Sequence, residues 1–242
     1  MLRAVALRKR FPPDTRALDD VTFDVADGEV CTLVGHNGAG KTTTMNCFLD
    51  FVRPDGGHAE VDGIVVARAP IDARRRLAFL GEQVAVYPAL TGRENVLFFV
   101  RLAGRVRLSR AEAGDALARF GVPDAAVDRA VATYSKGMRQ KVGLAVAAAA
   151  GVRNLVLDEP TSGLDPAAAR DLVALLRGLA HDGCAVLASS HDLARSAAVT
   201  DVAVRLARGR VVGTARRPGD GGVSLDAWYE ARHDALDAEA AA

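Results

Sequence analysis

Three observations predict an α/β fold with a parallel sheet and crossover helices. Short apolar segments that suit buried strands lie at 29–34, 154–157 and 184–189. A segment with helical character, 166–181, separates the last two of these strands. Residues 35–43, directly after the first strand, are rich in glycine and lead into another helix. Strands that alternate with helices favour a parallel sheet, because each helix returns the chain to the end where the previous strand began.

The first third of the chain is predicted to be rich in strands. Asp62 and Gly63, between two short apolar segments, form the turn pattern of a β-hairpin. A helix is expected to follow the glycine-rich segment and to end before Pro54. The predicted strands are 5–7, 21–25, 29–34, 59–61 and 64–66, and the predicted helix is 42–52.

The middle of the chain is predicted to be mainly helical, with strands returning in the last third. Ser109 and Glu112 have the spacing of a capping box at the start of a helix. A second hairpin is predicted around Gly209, and the tail at 218–242 is expected to be helical. The predicted helices are 92–102, 109–120, 136–150 and 166–181.

The composition indicates a globular protein with one large domain or two small ones. The 31 Lys and Arg residues nearly balance the 30 Asp and Glu residues, so no strong field favours nucleic acid or an anionic membrane. No apolar segment reaches the roughly 18 residues of a membrane span, and no signal-peptide pattern is present. Cys31, Cys47 and Cys184 lack a C-x-x-C pairing and suit a reducing compartment. We therefore expect a cytoplasmic location.

The glycine-rich segment matches the P-loop pattern G-x-x-x-x-G-K-[ST] between a strand and a helix. Its glycines allow backbone N–H groups to approach phosphate oxygens, and the helix that follows directs its positive end at them. Lys41 would reach the β- and γ-phosphates, and the Thr42 hydroxyl would bind Mg²⁺. The alternative is a glycine-rich turn that merely precedes a helix. The residues of the segment are Gly35, His36, Asn37, Gly38, Ala39, Gly40, Lys41, Thr42 and Thr43.

Two carboxylates follow the apolar strand at 154–157. Asp158 would hold Mg²⁺ opposite the P-loop threonine. Glu159 is expected to point to the other side of an extended chain, where it would orient or deprotonate the attacking water. An acidic turn that closes a core strand is the alternative, and the Pro-Thr-Ser-Gly-Leu-Asp-Pro sequence that follows argues against it.

Four further motifs are present, in chain order: Phe11, the segment 134–140, the segment 162–165, and Ser190 with His191. With them, residues 3–215 resemble the ATP-binding cassette (ABC) family. The segment 134–140, Tyr-Ser-Lys-Gly-Met-Arg-Gln, is similar to the family's signature, and 162–165 is similar to its D-loop. Ser190 and His191 match the switch histidine, and Phe11 lies where the family places an aromatic ring against adenine.

The resemblance implies a P-loop NTPase fold with a mixed central sheet, an antiparallel β subdomain and an inserted helical subdomain. The ATP-binding domain would span 1–217, with the helical subdomain at about 84–150. The family arrangement implies a head-to-tail dimer in which Ser135 and Gly137 face the nucleotide of the partner. Ser135 has a second interpretation as the N-cap of its helix.

Three other residues also keep two interpretations. His191 is implied to contact the γ-phosphate and the water that Glu159 holds, although a lone histidine is usually structural. Phe11 would stack on adenine, although a core or edge position is the commoner role of a phenylalanine. Asp165 is implied to shape the dimer seam, and an N-cap before Pro166 is its alternative role.

The sequence departs from the family pattern at three positions. Lys136 replaces a usual Gly and Met138 a usual Gln within the signature. Glu82 stands where the family's Q-loop glutamine would fall, and Gln83 follows it. Either residue could approach Mg²⁺ and the water, and Glu82 is a candidate metal ligand. The residues at these positions resemble those of ATPases of bacterial ABC-2 type exporters.

The resemblance implies a subunit that binds and hydrolyses ATP with Mg²⁺ and drives export through a separate transmembrane permease. It would form a homodimer or heterodimer at the cytoplasmic face of the membrane and would bind no nucleic acid. An ABC-family ATPase that acts on ribosomes or DNA is the alternative, and the chain has neither two cassettes nor a basic excess. A regulator without turnover is disfavoured because Lys41, Asp158, Glu159 and His191 are intact.

Overall fold

The computed structural model describes residues 1–104, 108–191 and 196–217 of the chain. Within these ranges, ten strands form one six-stranded and one four-stranded sheet, and helices accompany them. This architecture confirms the predicted α/β class. The tail at 218–242, which was expected to be helical, lies outside the described residues.

The smaller sheet is antiparallel and comes from the N-terminal part of the chain. Its strands are β1 (Leu2–Phe11), β2 (Thr15–Val25), β4 (Gly56–Val61) and β5 (Ile64–Val65). They lie in the order β2-β1-β4-β5. This sheet matches the antiparallel β subdomain that the family resemblance implies.

The larger sheet is mixed. Most of the predicted site residues follow the carboxyl ends of its parallel strands. Its strands are β3 (Val30–Val34), β6 (Leu77–Leu80), β7 (Asn154–Leu157), β8 (Ala185–Ser190), β9 (Val202–Ala207) and β10 (Arg210–Arg216). They lie in the order β10-β9-β3-β8-β7-β6. All neighbours pair in parallel except β10, which is antiparallel to β9.

The helices fall into those that flank the large sheet and those that form the inserted region between β6 and β7. The flanking helices are α1 (Lys41–Phe48), α2 (Pro70–Arg74) and α7 (Pro166–His181). The inserted helices are α3 (Gly92–Leu102), α4 (Arg110–Arg119), α5 (Asp124–Val127) and α6 (Lys136–Ala149). Ser109 and Glu112 form the predicted capping box of α4.

The large sheet separates two hydrophobic cores. Because successive side chains of a strand point to opposite faces, Leu155 and Leu157 of β7 pack on one side and Val156 on the other. The first core includes the inserted helices and α7, and the second includes α1 and the small sheet. Burial on both faces explains why β3, β7 and β8 are almost entirely apolar in sequence.

Several features differ from the sequence prediction. Strands β1 and β2 extend well beyond the predicted 5–7 and 21–25, and helices α2 and α5 were not predicted. Strand β6 was also not predicted; it is a short strand at the sheet edge, where Phe79 is exposed. Helix α1 ends at Phe48 rather than at residue 52, and Asp50 beyond it has a left-handed backbone with φ of 58°. Glu159, expected in extended backbone, has φ of 48°.

None of the helices in the described ranges combines the length and apolarity needed to cross a membrane. All three cysteines are buried and free, as their spacing predicts.

Candidate functional site

A cleft of about 480 Å³ lies at the carboxyl end of the parallel strands. The loops after β3, β6 and β7 all contribute to its wall, as expected at the carboxyl edge of an α/β sheet. Most of the predicted site residues therefore lie together. The lining residues are Phe11, Thr15, Arg16, Ala17, His36, Asn37, Gly38, Ala39, Gly40, Lys41, Thr42, Thr43, Glu82, Asp158 and Glu159.

The P-loop needs glycine where its backbone touches neighbouring segments. A Cβ on Gly40 would lie 2.8 Å from the carbonyl oxygen of Ala17, and the φ of Gly40 is 106°. A Cβ on Gly35 would lie 2.3 Å from the carbonyl oxygen of Leu206. The loop therefore packs tightly on the strands behind it, while residues 36–43, which include the start of α1, line the cleft.

Lys41 is buried and bound to its own loop. Its Nζ donates hydrogen bonds to the carbonyl oxygens of Gly35 and of His36, the latter at 3.2 Å. Burial lowers the pKa of Lys41, and the nearby charges of Glu159 and Asp158 act in the opposite direction. A phosphate group would replace carbonyl acceptors with anionic oxygens, which are stronger partners for an ammonium group.

Ser189 fixes the two carboxylates at the end of β7. Its hydroxyl donates a hydrogen bond to Asp158 Oδ1 at 2.5 Å and accepts one from the backbone N–H of Glu159 at 2.8 Å. The latter bond helps hold the left-handed backbone that the sequence did not predict at Glu159. Residues with positive φ other than glycine are uncommon, and they concentrate at functional sites.

His191 lies one residue beyond β8 and contacts Glu159 directly. The distance between His191 Nδ1 and Glu159 Oε2 is 2.8 Å. The parallel pairing of β7 with β8 brings the two residues together although 32 positions separate them. A carboxylate that holds an imidazole in one orientation is a common arrangement for proton transfer or for positioning a water molecule.

The two candidates for the Q-loop role differ in which cavities they line. Glu82 lines the cleft with Asp158 and Glu159. Gln83 does not line the cleft and instead lines a neighbouring cavity of about 610 Å³. Glu82 also accepts a hydrogen bond from the Ser162 hydroxyl at 3.2 Å.

Ser135, Gly137 and Asp165 lie outside the cleft of their own chain. Ser135 caps α6 by accepting a hydrogen bond from the Met138 N–H at 3.2 Å. Asp165 caps α7 by accepting hydrogen bonds from the first backbone N–H groups of that helix at 3.0 and 2.9 Å. These bonds hold the pKa of Asp165 below its usual value. The N-cap interpretations of both residues agree with this geometry.

The donor set of the cleft suits Mg²⁺ when nucleotide supplies further ligands. Thr42 and Asp158 place a hydroxyl and a carboxylate on the same cleft. In the described residues, no three His, Cys, Asp or Glu side chains come close enough to hold a metal by themselves. Mg²⁺ usually binds one or two carboxylates together with phosphate oxygens and water, so two or three protein oxygens are sufficient.

Phe11 lies at the rim of the cleft and is 37% exposed. The Lys9 ammonium lies 5.4 Å from the centroid of its ring. The cleft also contains Thr15, Arg16 and Ala17, which the sequence analysis did not identify. The sequence could have indicated these residues only through their position, at the start of the strand that pairs with the Phe11 end of β1.

Comparison with known proteins assigns the family. The chain matches the family described as "ABC transporter" over residues 18–162, which include the P-loop and the Asp158–Glu159 pair. The chain belongs to the ABC transporter family. The family predicted from the sequence motifs is therefore confirmed.

Two curated relatives illustrate the range of similar proteins. The daunorubicin resistance ATP-binding protein DrrA2 of Streptomyces coeruleorubidus is 41% identical over 195 residues, covering 79% of this chain and 59% of the relative. The ABC transporter ATP-binding protein NatA of Bacillus subtilis is 33% identical over 199 residues, covering 81% and 80%. The chain thus spans about three fifths of the length of the drug-resistance relative.

Solved structures support the fold. An ATP-binding subunit of an ABC transporter aligns over 100% of both chains with a TM-score of 0.79 and 29% identity. The cassette MJ0796, in a dimeric post-hydrolysis state bound to ADP and Pi, aligns over 90% of this chain and 100% of its own. Its TM-score is 0.79 and its identity 24%, so this likeness concerns the fold alone. The predicted fold class is confirmed.

Replacing Ser189 with Ala should impair both stability and turnover of ATP. The change removes the donor to Asp158 and the acceptor for the Glu159 N–H, which should cost about 1–3 kcal/mol of unfolding free energy. Urea denaturation and phosphate release would measure the two effects. Ser109→Ala is the control, because it removes a helix cap outside the cleft at a cost of about 1 kcal/mol. Equal turnover in the two variants would contradict the proposed importance of Ser189.

Proposed function

We propose that this chain is the ATP-binding and ATP-hydrolysing subunit of an ABC transporter. The observation that carries the proposal is the convergence of the P-loop, the carboxylate pair and Glu82 on one cleft, with His191 bonded to Glu159. If the glycine-rich segment were only a turn before a helix, the fold would not need acidic residues and a histidine beside it at the ends of β6, β7 and β8.

Nucleotide binding in this proposal uses groups that the cleft presents. The P-loop N–H groups and Lys41 bind the β- and γ-phosphates, and Phe11 stacks on the adenine. Thr42 and Asp158 would hold Mg²⁺, and Glu82 would supply a further oxygen ligand. The ion neutralises charge on the phosphates when bound.

Hydrolysis requires a positioned water molecule in line with the γ-phosphate. The Glu159 carboxylate accepts a hydrogen bond from that water, and His191 orients the carboxylate and donates toward the γ-phosphate. Lys41 stabilises the charge that spreads over the phosphate oxygens in the transition state. The reaction yields ADP and phosphate.

A second ATP-binding subunit completes the site. Ser135 and Gly137 begin α6 and lie outside the cleft of their own chain, and Asp165 also lies outside it. In a head-to-tail dimer the N-terminus of α6 contacts the γ-phosphate held by the other copy, with Asp165 at the seam. The cassette MJ0796, which shares this fold, is itself dimeric in its state bound to ADP and Pi.

The transport partner is a separate transmembrane permease, and the direction is export. Support for export comes from relatives named for daunorubicin resistance. The inserted helical region exposes Tyr87, Phe98 and Leu102, and the rings of Tyr87 and Phe98 lie 4.8 Å apart. An exposed aromatic group of this kind suits a docking surface for the permease, which would place the subunit at the cytoplasmic face of the membrane.

Lys41→Met should weaken ATP binding by about 10- to 100-fold, because it removes charge-assisted hydrogen bonds to phosphate. Isothermal titration calorimetry with ATP and Mg²⁺ would measure the change. Lys141→Met is a matched control, because Lys141 pairs with Asp171 at 3.1 Å and does not line the cleft. Undiminished affinity in Lys41→Met would contradict the P-loop role.

Glu159→Gln should lower the rate of ATP hydrolysis by about 10²- to 10⁴-fold, because the amide is a poor base. ATP binding should be retained, and the nucleotide-bound dimer should accumulate on size-exclusion chromatography. Phosphate release and calorimetry on the same preparation would separate turnover from binding. Wild-type turnover in this variant would remove Glu159 from the proposed role.

Membranes that contain the permease should change the ATPase rate of the wild-type chain. The comparison is phosphate release with these membranes, with membranes that lack the permease, and with ribosomes or DNA. A response to ribosomes or DNA alone would favour the alternative, a soluble ABC-family ATPase.

A further inference from the structure

Lys136 and Glu82, two residues at which the sequence departs from the family pattern, contact each other. The Lys136 Nζ lies 3.6 Å from Glu82 Oε1. The Ser162 hydroxyl donates a hydrogen bond to the same oxygen at 3.2 Å. One carboxylate oxygen therefore connects the start of α6 and the loop before α7 to the segment that follows β6.

The Glu82 side chain lies between two cavities. It lines the nucleotide cleft together with Asp158 and Glu159. It also lines the neighbouring cavity of about 610 Å³, to which Lys136 contributes from α6. The Glu82 carboxylate therefore borders the nucleotide cleft on one side and the Lys136 ammonium group on the other.

The fold holds Lys136 in this place. Gly163 has φ of 64°, and a Cβ on it would lie 3.4 Å from Lys136 Nζ, so the lysine crosses the open face of this glycine. One turn further along α6, the buried Gln140 donates a hydrogen bond to the carbonyl oxygen of Pro160. These contacts fix the face of α6 that carries Lys136 against the loop before α7.

The ion pair is too exposed to contribute much to folding. The exposed fraction of the side chain is 31% for Lys136 and 58% for Glu82. Water screens such pairs, and they exchange partners readily. A cation that enters the cleft would therefore compete with Lys136 for the Glu82 carboxylate.

We propose that Lys136 is a positioning residue that restrains the Glu82 carboxylate. The Glu82 carboxylate would have to leave Lys136 before it could serve as a ligand for Mg²⁺ bound with nucleotide. The inference rests on the proposed function, because it requires a cleft that binds nucleotide with Mg²⁺.

The test is the Mg²⁺ dependence of binding of a non-hydrolysable ATP analogue to the full chain, measured by calorimetry. Lys136→Met should lower the Mg²⁺ concentration for half-maximal binding by about two- to fivefold, as the loss of an exposed ion pair implies. Glu82→Gln should raise this concentration. Lys136→Arg keeps the charge and should match the wild type. Lys141→Met, on the same helix, is the control and should also match it.

The double variant separates a positioning role from a merely structural one. If Lys136 acts through Glu82, Lys136→Met has no effect on the Mg²⁺ dependence in the Glu82→Gln background. An equal effect in both backgrounds, or an unchanged Mg²⁺ dependence in Lys136→Met alone, would overturn the inference. Failure of the wild-type chain to bind the analogue at any Mg²⁺ concentration would overturn the proposed function, which distinguishes the two failures.

Discussion

The register of the parallel strands is the constraint on which the site depends. Leu80, Leu157 and Ala188 lie side by side on β6, β7 and β8, and Val34 pairs with Ser190 across β3 and β8. Four strands therefore end at the same edge; Glu82, Asp158, Glu159 and His191 follow three of those ends within one or two positions, and the P-loop follows the fourth. A shift of one residue in any pair would turn alternate side chains to the opposite face and separate the carboxylates from the P-loop.

The site is organised before any nucleotide binds. Lys41 rests on carbonyl oxygens of its own loop, Ser189 holds the Asp158–Glu159 pair, and His191 contacts Glu159. Lys41, Asp158 and Glu159 thus each have an internal partner that a phosphate, a cation or a water molecule can replace. This arrangement lowers the cost of desolvating these groups and limits their reorganisation during the reaction.

The sequence predicted what depends on local pattern and missed what depends on packing. Helices α3 and α7 and strand β7 have the predicted bounds, because caps and apolar periodicity define them. Ser189 was missed because a serine at a strand end has no signal until β8 pairs with β7. The sequence could not show that Glu82 lines the cleft and Gln83 does not, because this depends on how the chain leaves β6. The dimer roles of Ser135 and Asp165 remain predictions, because both side chains also satisfy their own helices.

The left-handed backbone of Glu159 lowers the stability of the fold, whereas the carboxylate at this position serves the proposed activity. A residue with a side chain costs about 1–2 kcal/mol in this conformation, whereas glycine adopts it freely. Glycine at this position would relax the chain and delete the carboxylate in a single change. Selection for thermal resistance alone would therefore favour inert chains, and the acid persists only where selection also acts on turnover.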